Sequence, residues 1–232
     1  MPYARLMNEA PVSRRARPAK APLSREVIIE TGLRILDQDG LAALTMRRVA
    51  QDLDTGAASL YVYIANRDDL MAAMLDHVLG MIEQPAGGTW RERLVALVHS
   101  AIAVMSRHEG VALVALGAIP TGENALALVD RMLALLAEGG VAEQTNSWAV
   151  DLLFLYITAA AAEQSAYNTK GMRAEQHIAE VTARYAALPA DRYPMVVSMR
   201  ESLTSGDGDA RAQWALRVLI DGILGTPVTW TR

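Results

Sequence analysis

Residues 45–70, TMRRVAQDLDTGAASLYVYIANRDDL, decide the fold of this chain. Thr45 is a candidate N-cap for a short helix, whose inward face consists of Val49, Ala50 and Leu53. Asp54, Thr55 and Gly56 break that helix. A very short segment follows, with apolar residues at helical spacing at Ala57, Leu60 and Ile64. Two short helices around a tight turn predict a helix-turn-helix, in which one helix can enter the major groove of DNA.

Helical spacing continues on both sides of this motif. Before it, Ser24 is a candidate N-cap and Gly40 a candidate stop for a first helix, with an apolar face of Ile28, Gly32, Ile35 and Leu36. After it, Asn66 caps a fourth helix with Asp68 and Asp69 in its first turn. Its apolar stripe consists of Leu70, Met71, Met74, Leu75, Val78, Leu79 and Ile82. We interpret this fourth helix, Asn66 to Ile82, as the connector to the rest of the chain.

The remaining sequence repeats the helical pattern in longer pieces. Helices are predicted over residues 90–105, 122–137, 143–165, 175–187 and 209–224, and no strand-like alternation of apolar and polar residues is present. The prediction is an all-α fold with nine or ten helices. It divides into a flexible basic arm (1–22), a three-helix head with the helix-turn-helix (23–70) and a larger helical bundle (71–232).

Composition and charge exclude several classes of protein. The 232 residues carry a net charge of −4 and no cysteine, which rules out disulfide scaffolds and thiolate metal sites. The longest uncharged apolar stretch, 152–162, is far shorter than the roughly 20 residues of a membrane span, and no signal peptide is evident. A cytoplasmic protein is expected. Residues 1–22 hold five basic residues against Glu9 alone, which fits either a solvated tail or a cationic arm that follows DNA phosphates.

Residues 45–70 also carry a resemblance to the tetracycline-repressor (TetR) family. That family shows T-x-R-x-[LV]-A-x-x-L, a turn, and then [ST]-L-Y-x-[HY]-[VIF]-x-[NS]-[KR]-x-x-L. Residues 45–53 and 59–70 match these patterns in order at eleven or more positions, and the preceding run GLAALT, residues 40–45, matches as well. The resemblance implies a transcriptional regulator that binds double-stranded operator DNA.

The resemblance also implies roles for individual residues of the head. Base edges would be read by Arg47, a guanidinium suited to guanine, and by residues of the third helix, Ala57, Ala58, Ser59 and Tyr63. Tyr61 and Arg67 stand where family members contact phosphates, and Thr45 lies near the DNA backbone. Arg48 completes the predicted set of DNA-binding residues. The family usually has glycine where this chain has Asp54, so the bend is made either by Asp54 in a left-handed conformation or by Gly56.

A weaker resemblance, to the C-terminal region of tetracycline repressors, covers roughly 80 residues. It is carried by TWRERL (89–94), HEG (108–110), LGAIPT (116–121), GV (140–141) and EQ (163–164). It implies that residues 71–232 are an effector-binding and dimerisation domain, with a dimer made by the last long helices and an effector pocket within each subunit. Its predicted lining is Leu97, Ala101, Met105, Leu116, Ile119, Leu128, Arg131, Met132, Trp148, Asp151, Leu155 and Glu163, with Ala115 at its boundary. Plain core packing is the alternative for any single residue of this set.

The predicted lining indicates the kind of effector. In tetracycline repressors the positions of Ala115 and Ala118 carry a metal-ligating histidine and a threonine, and both are alanine here. Tetracycline–Mg²⁺ is therefore not the expected ligand, and no metal or cofactor is predicted. A wide apolar lining with few polar groups favours an apolar or aromatic molecule, drug-like or polyketide-like.

Two apolar helices predict a homodimer. Residues 152–162 are apolar around the whole helix, which predicts burial on every side. A second stripe near the C-terminus is wider than one core needs, and consists of Trp214, Leu216, Val218, Leu219, Ile220, Ile223 and Leu224. We expect these two helices to pair with their copies in a four-helix interface.

These features predict a repressor that a small effector releases from a palindromic operator. An alternative is a helical ligand-binding or scaffold dimer whose head has lost specific DNA binding, because of Asp54, Ala57 and Ala58. An enzyme is not predicted, since the four histidines lie on different helices and the His108-Glu109 start of an H-E-x-x-H motif is broken at Ala112. No Gly-x-Ser-x-Gly elbow and no phosphate loop occurs.

Overall fold

The computed structural model describes residues 22–108, 110–116, 121–169, 174–206 and 208–229. The predicted basic arm therefore lies, except for Pro22, outside the described residues. Within the described ranges the chain forms helices and no strands, which confirms the all-α prediction. The helices are α1 Arg25–Asp39, α2 Met46–Asp52, α3 Ala57–Leu60, α4 Arg67–Leu79, α5 Trp90–Met105, α6 Val111–Leu116, α7 Glu123–Glu138, α8 Glu143–Thr169, α9 Ala174–Ala186, α10 Pro194–Leu203 and α11 Gly208–Gly225.

The predicted number of helices, nine or ten, is too low, because the described residues form 11. Two helices were missed. The six residues of α6 are too few to show a helical period. Proline breaks a helix in its interior, but Pro194 is the first residue of α10, a position where proline is favoured because its missing N–H would have no partner there.

Side-chain caps begin the helices of the head where the sequence predicts them. Ser24 Oγ accepts a hydrogen bond from Val27 N at 3.3 Å, Thr45 Oγ1 from Arg48 N at 3.1 Å, and Asn66 Oδ1 from Asp69 N at 2.9 Å. Each bond satisfies an N–H that a helix start leaves without an intrahelical partner. At the other end of α1, Gly40 has φ +77 and its N–H donates to Leu36 O. These local contacts fix the bounds of α1, α2 and α4.

One hydrophobic cluster runs from the head into the bundle. In the head, α1, α2 and α3 bury a set of fully enclosed side chains, Ile28, Ile35, Leu36, Leu44, Leu60 and Ile64. The connector helix α4 packs on α1 and also on α5, α6 and α7. In the bundle, α5, α7 and α8 pack on one another, α9 packs on α10, and α11 lies against α8. Helix α4 is therefore shared by both parts of the molecule.

The sequence predicts that α8 is buried on every side, but in the single chain only one face of this helix is buried. Leu153, Ile157 and Ala161 are buried on one face, but Trp148, Leu152 and Leu155 are 52%, 41% and 57% exposed. Burial on every side was expected at the centre of a bundle or at a subunit interface, and the single chain supplies the burial of one face only. Searched over the described residues, the helices include none that is long and apolar enough to cross a membrane.

Candidate nucleic-acid interface

The turn between α2 and α3 is made by Asp54. Its φ of +48 is the only positive φ of a non-glycine residue in the described part of the chain, while Gly56 has an ordinary φ of −79. Asp54 N donates to Gln51 O at 3.0 Å, and Thr55 N donates to Ala50 O at 2.9 Å. Of the two open possibilities, the left-handed aspartate is therefore the correct one. Aspartate tolerates this region better than most residues, so the absence of glycine here does not prevent a tight turn.

The conformation of Asp54 predicts the effect of substitutions there. Asp54→Ala is expected to lower the free energy of unfolding by about 1 kcal/mol. Alanine has a Cβ that is strained at positive φ, and it lacks the short polar side chain that lets aspartate tolerate this region. Asp54→Gly is expected to be at least as stable as Asp54→Ala, since glycine adopts this region freely. Thermal denaturation of both variants measures the difference. If Asp54→Ala is more stable than Asp54→Gly, the turn has another conformation.

The segment 57–64, which begins with α3, is anchored in the core by two buried side chains, while most of its other side chains are exposed. Leu60 and Ile64 are fully buried, which confirms Leu60 as a core residue. Tyr61, Val62 and Tyr63 are 53%, 78% and 40% exposed, and Ala58 and Ser59 are exposed as well, while Ala57 is half-buried. Two large aromatic rings next to the end of α3 are therefore partly exposed to solvent. This is the surface that a partner molecule would meet.

The arginines of the head differ in what holds them. Arg48 Nε donates to Asp52 Oδ1 at 2.9 Å, and its Nη2 donates to Asp39 Oδ2 at 2.9 Å. The hydrogen bond from Arg48 lowers the pKa of Asp52, which stays ionised. Arg34 also donates to Asp52, and Arg25 lies 3.6 Å from Asp69. Arg47 is exposed and makes no hydrogen bond or ion pair with any described residue. Its guanidinium is therefore available to an outside ligand.

Arg67 has a structural position that the sequence did not reveal. Its Nε donates to Leu44 O at 2.7 Å and its Nη2 donates to Leu41 O at 2.9 Å. The side chain is half-buried and ties the loop between α1 and α2 to the start of α4. These bonds leave no signal in the sequence because their acceptors are backbone carbonyls, which no residue type indicates.

Two polar contacts join the head and its connector to the bundle. The ring atom His108 Nδ1 lies 3.0 Å from Asp37 Oδ2 of α1. The carboxylate of Asp76 on α4 accepts from Ala125 N at 3.0 Å and from Asn124 Nδ2 at 3.1 Å. Asp76 thus supplies the N-terminal capping group of α7, since the N-cap residue Gly122 has no side chain. Helix α1 therefore contacts the bundle at His108, and the connector α4 contacts it at the start of α7.

The residues predicted to line the effector pocket fall into two groups. Those on α5 and α7 are buried against each other in the bundle core: Leu97, Ala101, Met105, Leu128 and Met132. Ala115 of α6 is buried too. Arg131 donates to Pro85 O at 3.2 Å, and its buried Nε has no hydrogen-bond partner among the described residues. The second group is exposed in the single chain, and consists of Leu116, Trp148, Asp151, Leu155 and Glu163. Ile119 lies outside the described residues.

A displayed helix-turn-helix on an apolar helical bundle defines a class of protein, the helix-turn-helix transcriptional regulators. Comparison with known families agrees. Residues 28–74 match "Bacterial regulatory proteins, tetR family", and residues 83–226 match "Tetracyclin repressor-like, C-terminal domain". The chain belongs to the TetR family. It is accordingly a DNA-binding transcriptional regulator and not an enzyme. Family membership therefore favours a DNA-binding head over one that has lost this activity.

Individual relatives are similar over most of their length. The chain is 30% identical to the HTH-type transcriptional repressor DrrR1 of Streptomyces coeruleorubidus, covering 89% of this chain and 80% of that protein. It is 26% identical to the tetracycline repressor protein class D of Escherichia coli, with 87% and 89% covered. Among solved structures, the fold is similar to that of Streptomyces coelicolor ActR in complex with actinorhodin, with a TM-score of 0.78. The two chains are 35% identical in sequence, and the match covers 88% of this chain and 97% of that chain.

Proposed function

We propose that this regulator is a repressor, released from a palindromic operator by a small, largely apolar effector. The observation that carries the proposal is the contrast within the head, where the exposed side chains of Arg47, Tyr61 and Tyr63 have no partner among the described residues. The other arginines of the head are held by carboxylates or carbonyl groups. The head is joined through α4 to a bundle with an apolar interior, in which we place the proposed effector site. A regulator of this kind needs both a reading surface and a site that can change it.

The proposed DNA contacts follow from this geometry. Arg47 would reach a guanine edge, Ala58 would pack on a thymine methyl and Ser59 would bond either partner. Thr45, Ala57, Tyr61 and Tyr63 complete the surface. Arg48 and Arg67 would contact phosphates only through the N–H groups that their internal partners leave unused.

Arg47→Ala tests this surface. The variant is expected to weaken binding to the preferred operator by about 1–3 kcal/mol, roughly 5- to 150-fold, and to relax the preference at one base position. Fluorescence anisotropy with labelled duplexes measures both effects. Arg184→Ala, which removes an exposed arginine from α9, is the matched control and should leave the affinity unchanged. An Arg47→Ala variant with unchanged affinity and preference would contradict the assignment of Arg47 to a base edge.

The exposed apolar residues of α8 and α11 support a homodimer. Trp148, Leu152 and Leu155 of α8 are exposed, and so are Trp214, Val218 and Leu224 of α11 at 67%, 48% and 40%. Because α11 packs on α8, these exposed apolar side chains favour a protein interface. Two heads in such a dimer would meet successive major grooves about 34 Å apart.

A substitution in this face tests the dimer. Trp214→Glu is expected to convert the dimer to a monomer, because a carboxylate would be buried without a partner in the interface. Light scattering after size exclusion measures the mass. Met81→Glu, at an exposed apolar residue beyond α4, should remain dimeric. A wild-type chain that is monomeric at micromolar concentration would disprove the interface.

The proposed effector pocket lies between α5 and α7, whose predicted lining residues are buried in the bundle. Apolar side chains dominate it, and the buried Nε of Arg131 offers one donor that no described residue uses. These features favour an apolar or aromatic, drug-like or polyketide-like effector with an acceptor atom. That the relative ActR has been crystallised with actinorhodin supports a small organic ligand.

A ligand screen tests the release. Compounds that raise the melting temperature of the regulator are expected to include at least one that weakens operator binding, by a coupling of about 1–3 kcal/mol. Anisotropy of the operator complex, measured with and without each compound, gives this coupling. If every stabilising compound leaves operator affinity unchanged, the protein is not switched by an effector, even if DNA binding itself is confirmed.

A further inference from the structure

A cleft of about 470 Å³ lies between α5 and α11, apart from the proposed effector pocket. On α5 it is lined by Arg91, Val95 and His99, which are spaced four residues apart and so share one face of the helix. On α11 it is lined by Gln213, Arg217 and Ile220. The buried residues of α5, including Leu97 and Ala101, point to the bundle core instead. None of the residues predicted for the effector pocket lines this cleft, so it is a separate site.

The polar groups of the cleft are unequally engaged. Arg91 Nη1 donates to Asp221 Oδ1 at 2.7 Å, and the Arg91 guanidinium lies 5.6 Å from the centre of the Trp90 ring, so this side chain is held in place. The side chains of Arg217, His99 and Gln213 make no hydrogen bond or ion pair with any residue that the structure describes. Arg217 is thus a cation without a partner.

Glu92, the acidic residue that lines the cleft, already accepts hydrogen bonds within the chain. Glu92 Oε2 accepts from Thr89 N at 2.8 Å and from Thr89 Oγ1 at 2.9 Å, in the capping box of α5. These hydrogen bonds lower the pKa of Glu92, so the carboxylate remains ionised and turned to the helix start. With Asp221 paired to Arg91, the Arg217 guanidinium lacks a counter-charge.

The walls of the cleft are apolar. Val95, Ala96 and Ile220 line it, and Ile220 is fully buried. Its volume is within the range of about 300–1,000 Å³ that small-molecule sites occupy. A ligand with an apolar body and one carboxylate would match the cleft. Its body would lie on the apolar walls, and its carboxylate would pair with the Arg217 guanidinium through two parallel hydrogen bonds.

We propose that the cleft between α5 and α11 is a second small-molecule site, which binds an amphiphilic organic carboxylate. The carboxylate pairs with Arg217, Gln213 and His99 stand beside it as further hydrogen-bonding groups, and the apolar body lies against Val95, Ala96 and Ile220. Because Trp214 and Val218 follow Gln213 and Arg217 directly on α11, a ligand here also contacts the helix whose neighbouring face is exposed and apolar.

Isothermal titration calorimetry of the full chain with naphthalene-2-carboxylate tests the proposal, with naphthalene-2-carboxamide as the uncharged probe. The carboxylate is expected to bind saturably with a Kd below about 1 mM. The carboxamide should bind roughly tenfold more weakly or worse, since it loses the charge-assisted bond. No DNA is present, so the outcome is independent of the proposed repressor function.

Three variants locate the bound probe. Arg217→Gln is expected to weaken the binding of the carboxylate probe roughly tenfold. Ala96→Trp, at an exposed position, is expected to abolish its binding because the indole ring would fill the cleft. Arg200→Gln, an exposed arginine of α10, should bind as the wild type does. Circular dichroism melting confirms that each variant is folded. Absence of saturable binding to the wild type, or binding that Arg217→Gln and Ala96→Trp both leave unchanged, would overturn the proposal.

Discussion

Replacing Arg67 by alanine is expected to lower the free energy of unfolding of the protein by about 3 kcal/mol. The guanidinium donates to the carbonyls of Leu41 and Leu44, in the half-buried loop between α1 and α2. Hydrogen bonds from charged groups contribute about 1.5–3 kcal/mol each, and a buried acceptor without a donor is costly. Urea denaturation followed by circular dichroism measures the loss.

Arg47→Ala is a matched control for this experiment. It removes the same charge from the same domain, but Arg47 is exposed and has no partner among the described residues, so its stability should change by less than about 0.5 kcal/mol. The two arginines are expected to separate two effects, with Arg67→Ala lowering stability and Arg47→Ala lowering DNA affinity. If Arg67→Ala is as stable as Arg47→Ala, the clamp on the two carbonyls is not formed in solution.

Replacing Asp76 by alanine is the second change with a large expected effect, a loss of about 2–3 kcal/mol. Its carboxylate accepts the Ala125 N–H at the start of α7 and the Asn124 side-chain amide. Without it, the first turn of α7 has no capping group, because Gly122 provides none. Thermal denaturation checks the loss. Asp130→Ala, an exposed aspartate in the middle of α7, should stay within about 0.5 kcal/mol of the wild type.

Gly122→Ala tests the same joint from the other side. A Cβ on Gly122 would overlap with Asp76 Oδ1, which is not a possible contact. The carboxylate would have to leave the start of α7, so we expect Gly122→Ala to be destabilised about as much as Asp76→Ala. The double variant should then lose little more than either single one. Additive losses would show that the two residues do not act on one another.

Much of the head could be predicted from the sequence, because its determinants are local. The caps Ser24, Thr45 and Asn66 and the apolar spacing of the following residues specify where each helix begins and which face is inward. Asp54 was predicted as one of two ways to make the turn, and only the φ angle distinguished them. The partners of Arg48 and Arg67 could not be predicted, because residues brought together by the tertiary fold leave no spacing signal.

The bundle was less predictable for a physical reason. Apolar residues at helical spacing indicate burial but not what buries them, so the sequence of α8 could not separate the face in its own core from the face that holds Trp148 and Leu155. Short α6 and proline-initiated α10 also escaped the periodicity argument. The cleft between α5 and α11 depends on two helices about 120 residues apart, and only the fold brings Arg91 and Arg217 to one site.

The most direct test of the central claim is the binding of the full chain to DNA, measured by fluorescence anisotropy. Duplex fragments from the region upstream of its own gene are compared with shuffled duplexes of equal length at one fixed salt concentration. The account predicts that one palindromic fragment binds about a thousandfold more tightly than the shuffled duplexes, or better. Equal, weak and purely salt-dependent binding to all fragments would contradict it.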